Sequence, residues 1–309
     1  MRSLSIDILK IVLAFFVVFL HMHALRDFDA SLSYVLVNGL FRIAVPVFLI
    51  ISGYYFFYVD DLKKLKKWSV RILLLYLIWT AIYFPMWKEK DNYILNILFG
   101  YHHLWYLIGT FFSGLLLFLV RKFSPKVLLI MILILFGCGY AIQFLGNSHY
   151  FEQDYDLDVL LNLFPMYRNF LFVCFPFLGM GFLIKKLEID IRQKPSLLLV
   201  LASIFLVIFE AFLNYKVLKL NKKESVDLLF SLLIACPLLF LYCKNITIKT
   251  DSKILASIST AIYLIHPLLM DFVYKSTYFP TYQNLIFTVV LLVSSLVLVL
   301  INRKIKYLL

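Results

Sequence analysis

SIDILKIVLAFFVVFLHMH runs from Ser5 to His23, and NGLFRIAVPVFLIISGYYFF from Asn38 to Phe57. Each is long and apolar enough to cross a bilayer, for which about 20 residues suffice. Yet the first carries Asp7, Lys10 and His21, and the second carries Arg42 and a Ser52-Gly53-Tyr54 turn. A charge near the middle of a spanning helix costs roughly 2.5 to 3.5 kcal/mol on insertion scales, so the face that holds it must turn toward protein or a water-filled cavity. Lys10 and His21 are eleven positions apart, which in a helix is three turns plus roughly 20° and a rise of roughly 16 Å. They share one face at two depths, about half a bilayer apart.

The rest of the chain is built in the same way. Of its 309 residues 63% are hydrophobic and only 16% are charged, against an apolar share of about 45 to 50% in soluble domains. Apolar runs occupy residues 4–22, 38–57, 69–87, 103–120, 127–145, 166–184, 196–214, 226–243, 255–274 and 284–302. The segments between them are short, with no internal repeat and no Gly/Ser-rich linker. The expected fold is therefore all-α: a polytopic transmembrane helical bundle of about ten helices, forming a single membrane domain over residues 1–309. Met1-Arg2 followed by an apolar run superficially resembles a signal sequence. Asp7 and Lys10 within that run, and the lack of a small-residue cleavage site, argue instead for a retained first helix. Cys138, Cys174, Cys236 and Cys243 lie in or beside apolar runs without metal or redox spacing, and read as packing residues.

Lys and Arg number 30 against 18 acids, an excess that in a soluble protein points to nucleic acid. Here the basic residues fill the short gaps between runs, where they signal topology and not a nucleic-acid partner. Nineteen fall on the side of the N-terminus and nine on the other, with Lys10 and Arg42 inside spans. Positive-inside bias puts both termini in the cytoplasm. The acidic stretch from Glu152 to Asp158 then lies outside, in agreement, whereas four lysines between Lys216 and Lys223 go against the trend.

With this orientation every unusual residue acquires a depth. All six histidines fall on the outer side, among them His21, His102, His103 and His266, with Arg42, Arg168 and Glu210 near them. Asp7, Lys10, Arg71 and the Ser52-Gly53-Tyr54 turn occupy the inner half. His21 suits a general base, since imidazole titrates near neutrality; the bland alternative is a hydrogen bond to another helix. Asp7 and Lys10, three apart, can pair for structure, or Lys10 can meet an anionic ligand with Asp7 as counter-ion. Pro46 leaves the carbonyl of Arg42 without its donor, so the helix should kink or open there, with Arg42 either a ligand in the opening or snorkelling to the interface. Gly53 permits close backbone approach, as a helix-packing contact or in a site. In GYHHLWYL, Gly100 to Leu107, an interfacial aromatic belt accounts for Trp105 but not for the histidines, and no metal-ligand spacing is present. Glu210 is an isolated carboxylate expected to pair with Arg168 or with a histidine. His266, before Pro267, reads equally as packing or function.

The chain has no P-loop, no GxGxxG after a strand, no GxSxG and no HExxH. The ordered set of segments resembles the integral-membrane acyltransferase family 3. Asp7, Leu9, Lys10 and His21 match its opening Asp-x-Leu-Arg and basic-x10-His patterns; Pro46, Phe48, Ser52, Gly53 and Tyr54 match the next, with Arg42 ahead of it. His103 to Leu107, Arg168 to Phe170, Phe175 to Phe177 with Gly179, and Tyr263 with His266 complete the series. The compact form most resembles the enterobacterial common antigen O-acetyltransferase type. Lys10 stands where Arg is usual and Ile11 where Gly often follows, so a charge contact is kept and a bidentate one is not.

The resemblance implies a bacterial cytoplasmic-membrane enzyme that moves an acyl group, acetyl above all, from a coenzyme A thioester to a hydroxyl of a surface or lipid-linked glycan. The donor, acetyl-CoA, would meet Lys10, Ser52, Tyr54 and Arg71 from the cytoplasm. His21 would take the hydroxyl proton, with Arg42 or His103 stabilising the oxyanion, and Trp105, Arg168, Glu210 and His266 would bind the acceptor. No metal is called for. Direct transfer and a covalent acyl-enzyme both stay open. A polysaccharide or lipid-linked sugar exporter without acyl transfer is the alternative.

Overall fold

Lipid offers the backbone no hydrogen-bond partners, so apolar runs of this length fold as helices. The computed structural model describes residues 2–88, 93–220, 225–246, 248–250, 252–276, 282–305 and 307–309. Lys90, Lys222, Lys223 and Lys306 of the charge pattern lie outside them. The helices are α1 (Leu4–His21), α2 (Ala30–Asn38), α3 (Ala44–Phe56), α4 (Leu62–Trp87), α5 (Tyr93–Leu98), α6 (Trp105–Val120), α7 (Pro125–Asn147) and α8 (Tyr155–Asn162). They continue with α9 (Phe164–Tyr167), α10 (Phe175–Lys186), α11 (Ile189–Arg192), α12 (Leu197–Lys216), α13 (Leu232–Asn245), α14 (Ile254–Ser276) and α15 (Gln283–Asn302). Short 3-10 turns cover Leu40–Ile43 and His102–Leu104, and a π-helical turn covers Phe170–Cys174. The arrangement is the expected polytopic helical bundle.

Among the described residues nine segments are long and apolar enough to cross a membrane, and α13 is shorter. Its 14 residues rise only about 21 Å, less than the roughly 30 Å of a hydrocarbon core. Residues 226–231, expected to be helical, are irregular and then turn, and their peptide N–H groups are met by side chains. Asn38 Oδ1 accepts from Val226 N at 3.0 Å, and Gln143 Oε1 accepts from Asp227 N at 2.7 Å and Leu228 N at 2.9 Å. Gln143 Nε2 donates to the Leu228 carbonyl. Non-helical backbone at membrane depth survives where protein encloses it, and Val226, Leu228 and Leu229 are buried.

α13 nevertheless ends at the face of the N-terminus. Two-residue strands, β1 (Arg2–Ser3) and β2 (Lys249–Thr250), pair antiparallel, and Ser5 Oγ donates to the Cys243 and Ile246 carbonyls at 2.7 and 2.9 Å. The end of α13 is thus at the face where the chain begins. With α14 and α15 as a further out-and-back pair, residues 307–309 return to that face.

The second apolar run starts earlier than its sequence indicates. Asp29 caps α2, accepting from Ser31 N and Leu32 N, and the break before α3 is the 3-10 turn that holds Arg42. Pro46 then sits in the first turn of α3, where a missing N–H costs little. Further along α3 the chain presses against α10. A Cβ on Gly53 would lie 1.8 Å from the Leu178 carbonyl oxygen, and one on Gly181 would lie 2.0 Å from that of Ile50. Gly53 is thus the point of a backbone-to-backbone crossing.

Candidate active site

Four imidazoles from three elements converge at the end of the bundle opposite the termini. α1 finishes on His21, the 3-10 turn after Gly100 carries His102 and His103, and α14 carries His266. Gly100 has φ 87°, and a Cβ there would lie 2.5 Å from Trp105 N, so only glycine makes this turn. His102 follows in the left-handed region at φ 51°, a conformation that costs a non-glycine residue roughly 1 to 2 kcal/mol. The ring centroids of His21 and His102 are 4.4 Å apart, those of His21 and His266 5.3 Å, and those of His103 and His266 5.1 Å. His103 and His266 are buried, and His21 is half-buried. Among the described residues no three His, Cys, Asp or Glu side chains are arranged to hold a metal ion.

Pro267 sets the tautomer of His266. Proline lacks the N–H that would bond the Tyr263 carbonyl, and His266 Nδ1 lies 2.8 Å from that oxygen and 3.2 Å from the Ile262 carbonyl. Carbonyls only accept, so Nδ1 carries the hydrogen and Nε2 keeps its lone pair. Nε2 is buried without a hydrogen-bond partner, as are both ring nitrogens of His103. One turn on, the Tyr83 hydroxyl enters the helix ladder itself, donating to the Leu264 carbonyl at 2.8 Å and accepting from Leu268 N at 3.2 Å. The Tyr83 ring packs edge-on against His103, with centroids 5.3 Å apart.

Beside the imidazoles lies a charge cluster. Asp227 forms an ion pair with Arg42, and Arg168 Nε donates to Asp227 Oδ2 at 2.8 Å. Arg42 Nη2 also donates to Asn38 at 3.2 Å, and Arg168 Nη2 to Ser225 Oγ at 2.7 Å. The Arg168 guanidinium lies 4.2 Å from the Phe164 ring centroid and 5.8 Å from that of Trp105. Arg42, Trp105 and Arg168 are therefore together, neutralised in part by a carboxylate that the sequence reading missed. Asp227 is, like Glu210, an acid within an apolar run, here the second residue of 226–243.

Glu210 is placed differently from the expectation that it pairs with Arg168 or a histidine. Its carboxylate accepts from Phe230 N at 2.9 Å, Ser231 N at 2.8 Å and Ser231 Oγ at 2.5 Å. The unsatisfied N–H groups at the start of α13 offer donors with a favourable dipole, and these hold the carboxylate away from Arg168.

Toward the face of the termini a cavity of about 670 Å³ opens, lined by Lys10, Arg71 and Lys253 and, deeper, by Ser52, Thr110, Tyr106 and Tyr263. Asp7 lies 3.7 Å from Lys10 and also lines the cavity, so the acid is both counter-ion and wall. Tyr54 is apart from it. Its hydroxyl donates to Asp190 at 2.6 Å, and its ring lies 5.5 and 5.6 Å from the Lys185 and Lys244 ammonium groups. The lining position falls to Tyr55. The cavity and the imidazole cluster share one wall, since the Tyr263 ring is 5.0 Å from that of His103 and 5.6 Å from that of Tyr106.

The family described as acyltransferase domain matches residues 3–302. The chain belongs to acyltransferase family 3. An Enterococcus faecalis protein named amino-acid racemase is 26% identical to it over 325 residues, covering 94% of this chain and 44% of that protein. The chain thus spans less than half the length of that curated relative of the acyltransferase. No solved structure matches it.

Proposed function

We propose that this membrane acyltransferase moves an acetyl group from acetyl-CoA to a hydroxyl of a cell-surface or lipid-linked glycan, at the inner membrane of a bacterium. The observation that carries the reading is the shared wall: a cationic cavity and a set of buried imidazoles meet across Tyr106 and Tyr263. The donor phosphates pair with Lys10, Arg71 and Lys253, and Ser52 lies along the path of the pantetheine arm. At the opposite face the acceptor packs on Trp105 and pairs with the Arg168 cluster.

The acceptor oxygen bonds to the thioester carbon as its proton passes to an imidazole. The tetrahedral intermediate then collapses, breaking the carbon–sulfur bond, and the imidazolium returns the proton to the coenzyme A thiolate. His21 is the half-buried member of the cluster and takes the proton from an acceptor arriving at the outer face. His266, with its fixed Nε2 lone pair, is the second candidate base. Of the two oxyanion donors expected, Arg42 has both Nη groups engaged by Asp227 and Asn38 and only Nε unpaired, whereas His103 has both nitrogens unpaired. His103 is therefore assigned the oxyanion, an interaction of several kcal/mol when preorganised in a dry site, roughly 2.7 to 4 in measured cases. An exporter would need a continuous polar path, which the packed tyrosine rings interrupt.

Calorimetry of purified protein with coenzyme A, together with thiol release from acetyl-CoA in membranes that contain the acceptor, tests the proposal. Binding and release are expected; absence of both removes it.

A further inference from the structure

Between them Tyr106 and Tyr263 span the two halves of the site. Each lines the cationic cavity, their rings meet edge to face with centroids 5.6 Å apart, and Phe48, another lining residue, packs on Tyr106 at 6.4 Å. On the far side the Tyr263 ring lies against His103 at 5.0 Å and His266 at 6.4 Å. The two leaves are held unequally. Tyr263 is buried and its hydroxyl is tied to backbone, donating to the His103 carbonyl at 2.5 Å, while Tyr106 is half-buried against the cavity and its hydroxyl meets side chains, those of Ser52 and Thr110.

We infer that Tyr106 and Tyr263 form an aromatic gate that confines the donor to short acyl thioesters, with Tyr106 as the specificity-determining leaf. The inference rests on the acyl-transfer reading above. For the thioester carbon to reach the imidazoles, the acyl tail must pass the two rings ahead of it. Beyond them it meets His21, His102, His103 and His266, whose successive centroids are 4.4 to 5.3 Å apart, which is ring contact. A tail of one or two carbons fits by a swing of Tyr106 alone. A longer one requires a buried imidazole to move.

The test is thiol release in acceptor-containing membranes with acetyl-, butyryl- and hexanoyl-CoA. Each added methylene in a confined pocket is worth about tenfold or more in kcat/KM. Each step adds two methylenes, so the protein is expected to lose about a hundredfold or more from acetyl to butyryl and again to hexanoyl. Tyr106→Ala should bring the three donors within a few-fold of one another, and Tyr106→Trp should steepen the series. Equal use of acetyl- and hexanoyl-CoA by the unaltered protein overturns the gate, whatever the variants do. So does an unchanged hexanoyl-to-acetyl ratio in Tyr106→Ala with acetyl turnover retained. No release from any donor, with no coenzyme A binding, overturns the acyl-transfer reading itself and the gate with it.

Discussion

His266 Nδ1 donates to the carbonyl oxygen of Tyr263 at 2.8 Å, the acceptor that Pro267 leaves free three residues into the same turn. A helix defect thereby fixes which imidazole nitrogen can take up a proton, and it does so without a carboxylate partner. The two candidate bases differ in this respect, because no comparable bond orients His21.

That difference gives the first prediction. A general base contributes about 10²- to 10⁴-fold to rate, and Gln reproduces hydrogen bonding without proton uptake. Acyl transfer by His21→Gln should fall by that factor with coenzyme A affinity intact. If His266 is the base instead, His266→Gln shows the rate loss and His21→Gln keeps near-normal turnover.

Asp227 neutralises two arginines, so Asp227→Asn should be costly. Removing one member of a buried ion pair destabilises by roughly 3 to 5 kcal/mol. Thermal unfolding in detergent should show a clear drop for Asp227→Asn, and a double variant with Arg168→Gln should lose less than the sum of the two singles. Additive losses would mean that the clamp is not a unit.

Lys10 faces the cavity with Asp7 at 3.7 Å. A charge-assisted hydrogen bond is worth about 1.5 to 3 kcal/mol, so Lys10→Met should weaken coenzyme A binding roughly ten- to hundredfold, and Lys10→Arg should keep most of it. Calorimetry that finds the Met variant unchanged would reduce Lys10 to a structural partner of Asp7.

The basic face is expected to be cytoplasmic. A cysteine at exposed Gln153 should react with an impermeant maleimide on intact cells, and one at Ser124 only after permeabilisation. The opposite pattern would invert the bundle and place the cationic cavity outside.

Much of this was legible in the chain. Nine of the ten spans, the gathering of His21, His103 and His266 at one end, and the cationic side of Lys10 and Arg71 follow from hydropathy, charge count and depth. Two kinds of feature were not. Residues 226–231 read as apolar helix, because hydropathy does not register that Asn38 and Gln143, distant in sequence, supply the peptide partners. Tyr83, one of 20 tyrosines, carries no signal until its hydroxyl is seen inside the α14 ladder. Glu210 is visible as an unusual residue, but its partner is not, since the sequence puts the start of α13 at residue 226, six residues before the observed Leu232.

The non-helical segment 226–231 also bears on how the protein is made. Asn38, Arg42, Gln143, Arg168 and Glu210 all precede it in the chain, so the side chains that accept from its N–H groups and the two arginines on its carboxylate have been synthesised before it emerges. The helix that follows it, α13, is too short to cross lipid as an independent helix. It has to fold onto a surface already assembled from its predecessors, and that surface is complete when the ribosome delivers it. The clamp on Asp227 is then a product of translation order: the acid arrives last, at two arginines already waiting in the membrane.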